Sequence, residues 1–277
     1  MVAASRVEQA YLTACLAELA ALKPGNVHAY AAGHRMTVAD FEASARLSAP
    51  AIAAPELPVG ERILTALHRT REAVSSNTNL GIVLLCAPLA QAALQSAAGE
   101  LRQALHAVLA ALTVDDAVGA YEAIRLANPG GLGSSPQHDV RERPPVTLLE
   151  AMRIASDRDR IAAQYVTDFA DVFGLGLGRL IAGRQRWRDF EWAVSSTYLG
   201  FLGAFPDSHI QRKFGPETAE AVMLEARTFD TLLSGTADPR VILSDLQTFD
   251  SALKDKDINP GTSADLTVAT LFVSNLQ

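Results

Sequence analysis

The sequence predicts an all-α protein, with residues 1–277 forming a single compact domain of about ten helices. Apolar residues recur at helical spacing in nearly every segment and show no convincing alternation of the kind typical of strands. Residues that commonly cap helices stand before several of these segments. We find no internal repeat, and a chain of this length with 49% hydrophobic residues can bury a sizeable core.

The first half of the chain is predicted to contain six helices. The first has an apolar face and ends at the Lys23-Pro24-Gly25-Asn26 segment, because Pro and Gly do not continue a helix. Thr37 and Thr113 each precede an Asp three residues later, which predicts capping boxes at the second and sixth helices. The third, fourth and fifth helices follow from apolar residues within 63–74, 80–90 and 101–112.

The fourth predicted helix is apolar on every side, which is typical of a helix buried in a core. Asn77, Thr78 and Asn79 stand directly before it and can cap its first turn. The free N–H groups of that turn, with the positive end of the helix dipole, also suit a phosphate. Gly81 leaves room for the close approach of another group. Both a capped core helix and a phosphate site remain open from this stretch alone.

The second half begins with the longest non-periodic segment, residues 128–145, which contains three glycines and four prolines. A loop of this length in a compact protein is usually functional or disordered. Thr147 with Glu150 predicts a capped helix after it, and an apolar pattern through residues 161–178 predicts another. Four further helices are predicted near Asp189–Leu202, Pro216–Leu233, Asp238–Leu253 and Ser263–Asn275.

Composition narrows the location and the partners of the protein. A net charge of -7 argues against a nucleic-acid surface, which needs clustered Lys and Arg. The chain contains no run of 18 uncharged apolar residues, and Glu8 and Glu18 interrupt a secretory pattern at the start. Cys15 and Cys86 lie in apolar helical patterns and form no CxxC pair. We therefore expect a cytoplasmic protein that binds neither nucleic acid nor membrane, with helical faces that would allow a homodimer.

Polar residues gather in the first interhelix loop. It places Lys23, Asn26, His28, His34 and Arg35 within thirteen residues, between two apolar helices. Lys and Arg in such a loop would complement phosphate charge, Lys as a point charge and Arg through two parallel hydrogen bonds. The alternative is a solvated loop that carries ordinary turn residues.

Later polar clusters also lie beside predicted helix starts, where an Asp can cap the helix, bind a metal or orient a hydroxyl. The His138-Asp139 pair is similar to that of metal-dependent phosphohydrolases, but it lies in a loop and not on a helix, which disfavours that class. The chain contains none of the HExxH, ExxH, GxxxxGK[ST] or GxGxxG motifs, so a nucleotide would be held in another way. The candidate residues of these clusters are Gly130, Gly131, Asp139, Arg158, Asp159, Asp207, His209, Lys213, Ser263 and Asp265.

Eight short motifs occur in the order KPGNVH, GHRM, FEASA, NTNLG, PLAQA, PGGLG, DSHIQRK and NPGTSADL. In this order the chain resembles the triphosphoribosyl-dephospho-CoA synthase family from about residue 19 to residue 271. The resemblance implies an all-α transferase that joins ribose C1 of ATP to a ribose hydroxyl of 3′-dephospho-CoA and releases adenine.

Two segments differ from the pattern of that family. Residues 78–81, Thr-Asn-Leu-Gly, replace a Thr-His-Lys-Gly-like segment, and residues 130–133, Gly-Gly-Leu-Gly, replace an Arg-Gly-Glu-type loop. The chain is similar to a shorter branch of the family, found with one-carbon metabolism that uses tetrahydromethanopterin. The acceptor in that branch can differ from dephospho-CoA.

The resemblance also implies roles for the polar clusters, with ATP as substrate and Mg²⁺ bound to its triphosphate. The expected proton-transfer and catalytic residues are His28, His34, Asp207, His209 and Asp265. Asp139 and Asp159 are the expected metal ligands. The expected substrate-binding residues are Lys23, Asn26, Arg35, Asn77, Thr78, Asn79, Gly81, Gly130, Gly131, Arg158, Lys213 and Ser263.

Other classes of function remain open from the sequence. One is another Mg-dependent nucleotide or phosphate enzyme, such as an N-glycoside hydrolase in which water replaces the acceptor hydroxyl, or an enzyme of one-carbon cofactor biosynthesis. Another is a non-enzymatic helical scaffold, which the number of polar clusters at helix starts disfavours.

Overall fold

The computed structural model describes residues 2–34, 36–96, 99–131, 133 and 137–277. Within these ranges the chain folds into fourteen α-helices. Over these ranges the regular structure is helical, with two isolated β-bridges in the first interhelix loop. A π-helical turn, Val172–Gly176, precedes the ninth α-helix, and a 3-10 helix, Pro239–Ile242, precedes the thirteenth. The α-helices are α1 Ala4–Ala20, α2 Val38–Ala53, α3 Val59–Ala73, α4 Leu80–Gln95, α5 Leu101–Ala110, α6 Val114–Ala127, α7 Leu148–Ala155, α8 Arg160–Val166, α9 Leu177–Arg186, α10 Phe190–Ala204, α11 Ser208–Phe214, α12 Pro216–Gly235, α13 Leu243–Asp255 and α14 Gly261–Leu276.

The all-α class is confirmed, whereas the expected count of about ten helices is wrong. The apolar pattern through residues 161–178 is divided among α8, the π-helical turn and α9, and the left-handed residues Asp168 and Phe169 interrupt it. Helix α11 has seven residues and falls within a segment interpreted only as a polar cluster. Helices this short contain too few turns for apolar spacing to reveal them.

The three predicted capping boxes are all confirmed. Thr37, Thr113 and Thr147 each accept the N–H of the acidic residue three positions later, and that residue's carboxylate accepts the N–H of the Thr. Each box satisfies two N–H groups that a helix start would otherwise leave without a partner. These local signals fix where α2, α6 and α7 begin.

Two almost completely buried helices, α4 and α14, run through the larger of two hydrophobic clusters. Helix α1 packs along α14, α5 packs on α4, and α3 lies against α2 and α6. A second cluster joins α10 to α12 and α13. Cys15 and Cys86 are buried and unpaired in the larger cluster. None of the helices in the described ranges is long and apolar enough to span a bilayer.

The first turn of α4 touches α14 at Asp265, near the start of that helix. A Cβ atom placed on Gly81 would overlap the carboxylate of Asp265, and it would lie 2.8 Å from Cδ1 of Ile161 at the start of α8. A Cβ on Gly261, the first residue of α14, would overlap the imidazole of His209 in α11. The beginnings of four helices therefore meet at one place in the fold.

Candidate functional site

A cavity of about 620 Å³ opens where these four helices begin. Its volume lies within the range typical of small-molecule sites. One wall is apolar and comes mainly from α6 and α7, with Tyr121, Ile124, Leu148, Ala151 and Met152. The opposite side is polar and comes from the first turns of α4, α8, α11 and α14, and the Gly-rich segment after α6 covers a further part.

Asp265 of α14 extends a carboxylate into this cavity against Gly81. No residue in the described part of the chain donates a hydrogen bond to it. Burial raises the pKa of Asp265 well above its usual value, and repulsion from Glu18, Asp207 and Asp159 raises it further. The raised pKa favours the protonated form of Asp265, which suits a group that gives up a proton inside the cavity.

Asp159 and Arg212 face each other across the polar side. Oδ1 of Asp159 accepts the N–H groups of Ile161 and Ala162 and so caps α8. Its Oδ2 lies 3.5 Å from Nη1 of Arg212 and borders the cavity. Nε of Arg212 also donates to the carbonyl of Gly130 at 3.1 Å, which ties α11 to the Gly-rich segment. Arg158 is a second cation on this wall.

His209 lies in the first turn of α11 and lines the cavity. Its backbone N–H donates to Asp207 and to the hydroxyl of Thr262, while no described residue makes a hydrogen bond to its ring. Burial lowers the pKa of His209 to about 4, and the nearby positive charges of Arg212, Lys213 and His34 add to this effect. A neutral imidazole near pH 7 can accept a proton.

This pKa can be measured directly. We expect one of the six histidine signals in an NMR pH titration to shift near pH 4 and not near 6.5, and His209→Gln to remove that signal. The unfolded chain binds this proton at a higher pH than the folded chain does. Stability contributed by neutral His209 is therefore present above pH 6.5 and decreases as the pH falls toward 4. A His209 signal that shifts near 6.5 would contradict the assignment.

The segment before α4 borders the cavity with three side chains that also hold the local backbone. Asn77 Oδ1 accepts the Leu80 N–H, and Thr78 shares a hydrogen bond with Ser44. Nδ2 of Asn79 donates to Thr70, while its buried Oδ1 has no partner among the described residues. The predicted cap at the start of α4 is thus formed by Asn77, and the same turn faces the cavity.

Asp139 borders the cavity, but its carboxylate is bound by a neighbour. Both of its oxygens accept hydrogen bonds from the guanidinium of Arg141, each at 2.8 Å.

Gly131 adopts the left-handed conformation with φ of 73°, and a Cβ there would lie 2.8 Å from the carbonyl of Arg212. Gly131 therefore lets this segment lie against α11, which no larger residue would permit without displacement, whereas a Cβ on Gly130 would meet no atom within 4 Å.

Several residues expected from the sequence do not line the cavity. Lys23 is fully buried and binds Glu18, Asn26 and the carbonyl of Val27. His28 lies 3.2 Å from both Asp250 and Lys254. His34 and Lys213 both bind the carboxylate of Asp257, at 2.8 Å each. The first loop thus forms a network that joins α1, α11 and α13, and Arg35 lies outside the described residues.

Asp207 and Ser263 join α11 to α14 just outside the cavity. One oxygen of Asp207 accepts the N–H groups of His209 and Ile210, and the other accepts both the N–H and the hydroxyl of Ser263, each at 2.8 Å. With its oxygens bound in this way, Asp207 is suited to placing His209 at the cavity. These contacts favour a positioning role for Asp207 and Ser263 over the catalytic and binding roles expected from the sequence.

Among the cavity residues that were not selected from the sequence are two with charged side chains, Glu18 and Arg212. Arg212 follows His209 by three positions, and residues three apart share a helix face. Lys213 follows His209 by four positions and shares that face as well, so recognising α11 as a helix would have added Arg212 to the predicted residues without excluding Lys213. Glu18 lies within the apolar pattern of α1, which gives no sign that its side chain is buried at a cavity. Its contact with Lys23, which only the structure shows, fixes the direction of the side chain.

The described residues contain no group of three or more His, Cys, Asp or Glu side chains arranged to hold a metal ion. A Mg²⁺ ion bound to a nucleotide needs only one or two carboxylates, because phosphate oxygens and water complete its coordination. Asp159 fits this requirement, since its Oδ2 faces the cavity and has only the 3.5 Å contact with Arg212. Asp139, the other expected ligand, is bound to Arg141.

Comparisons with known proteins were made for the whole chain. A model of the CitG family, described as ATP:dephospho-CoA triphosphoribosyl transferase, matches residues 4–277. Among solved structures, a protein of Archaeoglobus fulgidus provisionally described as a triphosphoribosyl-dephospho-CoA synthase is similar, with 25% sequence identity and a TM-score of 0.65. The match covers 84% of this chain and 96% of that one. A search of curated proteins finds no match.

Proposed function

Because the chain belongs to the CitG family of ATP:dephospho-CoA triphosphoribosyl transferases, we propose that the cavity at the four helix starts is the active site of this transferase. The reaction moves the triphosphoribosyl group of ATP to a hydroxyl of dephospho-CoA or of a related cofactor precursor, and releases adenine. The observation that carries the proposal is the carboxylate of Asp265, which has no partner among the described residues and lies in a cavity lined by helix N-termini.

The chemistry needs a proton donor for the leaving adenine. When the bond between ribose C1 and adenine N9 breaks, the electron pair stays on N9 and positive charge develops at C1. Asp265, whose raised pKa favours the protonated form, supplies the proton that adenine accepts. His209, which is neutral near pH 7, accepts the proton of the attacking hydroxyl as the new bond from C1 to oxygen forms. One proton leaves Asp265 and one reaches His209, so the step is balanced.

The polar side of the cavity suits the triphosphate. Arg158 and Arg212 supply two positive charges, and the first turns of α4 and α14 present N–H groups at the positive ends of sixteen-residue helices. Asp159 would hold Mg²⁺ together with phosphate oxygens. When bound there, Mg²⁺ would neutralise part of the triphosphate charge. The apolar wall from α6 and α7 suits the adenine ring.

We predict that Arg212→Ala raises the KM for ATP by roughly 10- to 100-fold, because a charge-assisted hydrogen bond contributes about 1.5–3 kcal/mol. Lys213→Ala is the matched control on the same helix, since Lys213 binds Asp257 outside the cavity. Steady-state kinetics of adenine release should show a change of no more than about threefold for this control. Equal effects of the two substitutions would contradict the placement of the triphosphate beside Arg212.

The proposal is tested by adenine release from ATP and Mg²⁺, measured by chromatography with and without dephospho-CoA. Release that depends on the acceptor supports the transferase. Adenine release that needs no acceptor would instead identify an N-glycoside hydrolase.

A further inference from the structure

Glu18 in the last turn of α1 places a second buried carboxylate at the cavity. Its side chain is 5% exposed, and it borders the same space as Asp265. Oε1 lies 2.7 Å from Nζ of Lys23, whereas no described residue makes a hydrogen bond to Oε2. Oε2 is not enclosed by protein atoms and therefore faces open space. One oxygen is therefore anchored, and the other is available to a ligand.

Lys23 places a positive charge against this carboxylate. Its ammonium group is fully buried and binds Glu18, the side-chain oxygen of Asn26 at 3.1 Å and the carbonyl of Val27 at 2.6 Å. Three acceptors saturate the three donors of the ammonium group, so none is left for a phosphate. Burial of an ion pair is costly and by itself contributes little stability. A pair retained at the edge of a reaction cavity is therefore a candidate for a role in the reaction.

Glu18 and Asp265 form a pair of carboxyl groups in different environments. Burial raises the pKa of both, and the charge and the hydrogen bond of Lys23 oppose this on Glu18. Asp265 has no hydrogen-bonded cation among the described residues, and only the more distant charge of Arg212 opposes the rise of its pKa. The negative charge of Glu18 in turn raises the pKa of Asp265. Helix α1 packs along α14, which keeps the two groups near each other. The contact with Lys23 thus favours the anion of Glu18, while burial and the nearby negative charges favour the protonated form of Asp265, an arrangement that suits an anion beside an acid.

We propose that Glu18 is a further catalytic residue, whose anionic carboxylate stabilises the positive charge that develops at ribose C1. This proposal rests on the proposed function and adds a role to it. The bond from C1 to N9 breaks, Asp265 gives its proton to adenine, and the acceptor oxygen binds C1 as His209 takes its proton. Glu18 exchanges no proton and remains an anion throughout. Its effect is confined to the transition state, where the charge exists.

Two variants distinguish a role of Glu18 in stabilising the charge at C1 from a role in stabilising the folded chain. Glu18→Gln keeps the size of the side chain and a hydrogen-bond acceptor for Lys23, but it removes the charge. The double variant Glu18→Gln with Lys23→Met removes the ion pair as a unit, so no buried charge is left without a partner. Both are compared with the wild-type chain by circular dichroism, thermal unfolding, ATP binding by calorimetry and the rate of adenine release.

We expect both variants to bind ATP within about threefold of the wild-type affinity and to lose about 100-fold or more in kcat. A double variant that regains wild-type kcat would show that the pair serves only the fold, and would overturn the proposal. If the double variant does not fold, the kcat of Glu18→Gln alone tests the proposal, and wild-type kcat in that variant would overturn it. The kcat of Glu18→Asp provides a second test. Because Asp keeps the charge, it should retain more activity than Gln, and the reverse order would overturn the proposal.

The failure of this inference is distinct from the failure of the proposed function. Absence of adenine release by the wild-type chain, with dephospho-CoA present, rejects the proposed function and with it the role of Glu18. Wild-type release that persists unchanged in Glu18→Gln rejects only the role of Glu18.

Discussion

Asp265→Asn should reduce the rate of adenine release by at least about 100-fold and at the same time raise the unfolding temperature by a few degrees. The rate falls because an amide cannot protonate the leaving adenine. Stability rises because the pKa of Asp265 in the folded chain lies well above its ordinary value of 3.8. The unfolded chain ionises more readily, so at pH 7 this group favours unfolding, and Asn removes that effect.

The pH dependence identifies the cause of the stability gain. The difference in unfolding temperature between the variant and the wild-type chain should shrink as the pH falls toward 4, because the carboxyl group of the unfolded chain then becomes protonated as well. Thermal unfolding from pH 4 to pH 8 measures it, alongside chromatographic adenine release. A variant that is less stable than the wild type at pH 7, or that keeps its turnover, would contradict the placement of an uncompensated acid at this site.

Gly81→Ala should remove most activity, with a decrease in kcat/KM of about 100-fold. The added Cβ would overlap the carboxylate of Asp265 and lie 2.8 Å from Ile161, so one of these side chains must move. The backbone itself accepts alanine, because Gly81 lies in the first turn of α4 and has no left-handed φ. The better helix propensity of alanine, worth about 1 kcal/mol, offsets part of the steric cost. Activity should therefore fall much more than stability.

Gly178→Ala is the matched control for this substitution. Gly178 also lies in the first turn of a helix, α9, and a Cβ there would meet no atom within 4 Å. We expect wild-type kinetics and unchanged or slightly higher stability for it, measured by adenine release and thermal unfolding. If both alanine variants lost activity to the same extent, the contact between Gly81 and Asp265 would not explain the effect.

Local signals in the sequence predicted those parts of the fold that depend on local physics. Thr37, Thr113 and Thr147, each followed by an acidic residue, mark helix starts that the structure has at the same positions. The apolar run after Leu80 predicted a buried helix, and α4 is buried on nearly all sides. Short elements were not predicted. Helix α11 has seven residues and the π-helical turn has five, which is too few for a periodic pattern of apolar residues to be recognised.

The candidate site was predictable in outline because its residues stand at helix starts. Asn77, Asp159, His209 and Asp265 each belong to a polar segment directly before or within a first turn, and the structure brings them to one cavity. What the sequence could not supply is orientation. Lys23 and Lys213 look suited to phosphate, yet neither lines the cavity and both are used in ion pairs, because tertiary packing decides which side of a loop or helix faces inward.

The measurement that tests the account most directly is adenine release from ATP and Mg²⁺ by the wild-type chain and by Asp265→Asn, with and without dephospho-CoA. We expect the wild-type chain to release adenine only when the acceptor is present, and the rate of release to fall by at least about 100-fold in the variant. Release by both proteins at the same rate would contradict the central role of Asp265. Absence of release by the wild-type chain, together with no stabilisation by ATP, would contradict the assignment of the cavity to a nucleotide.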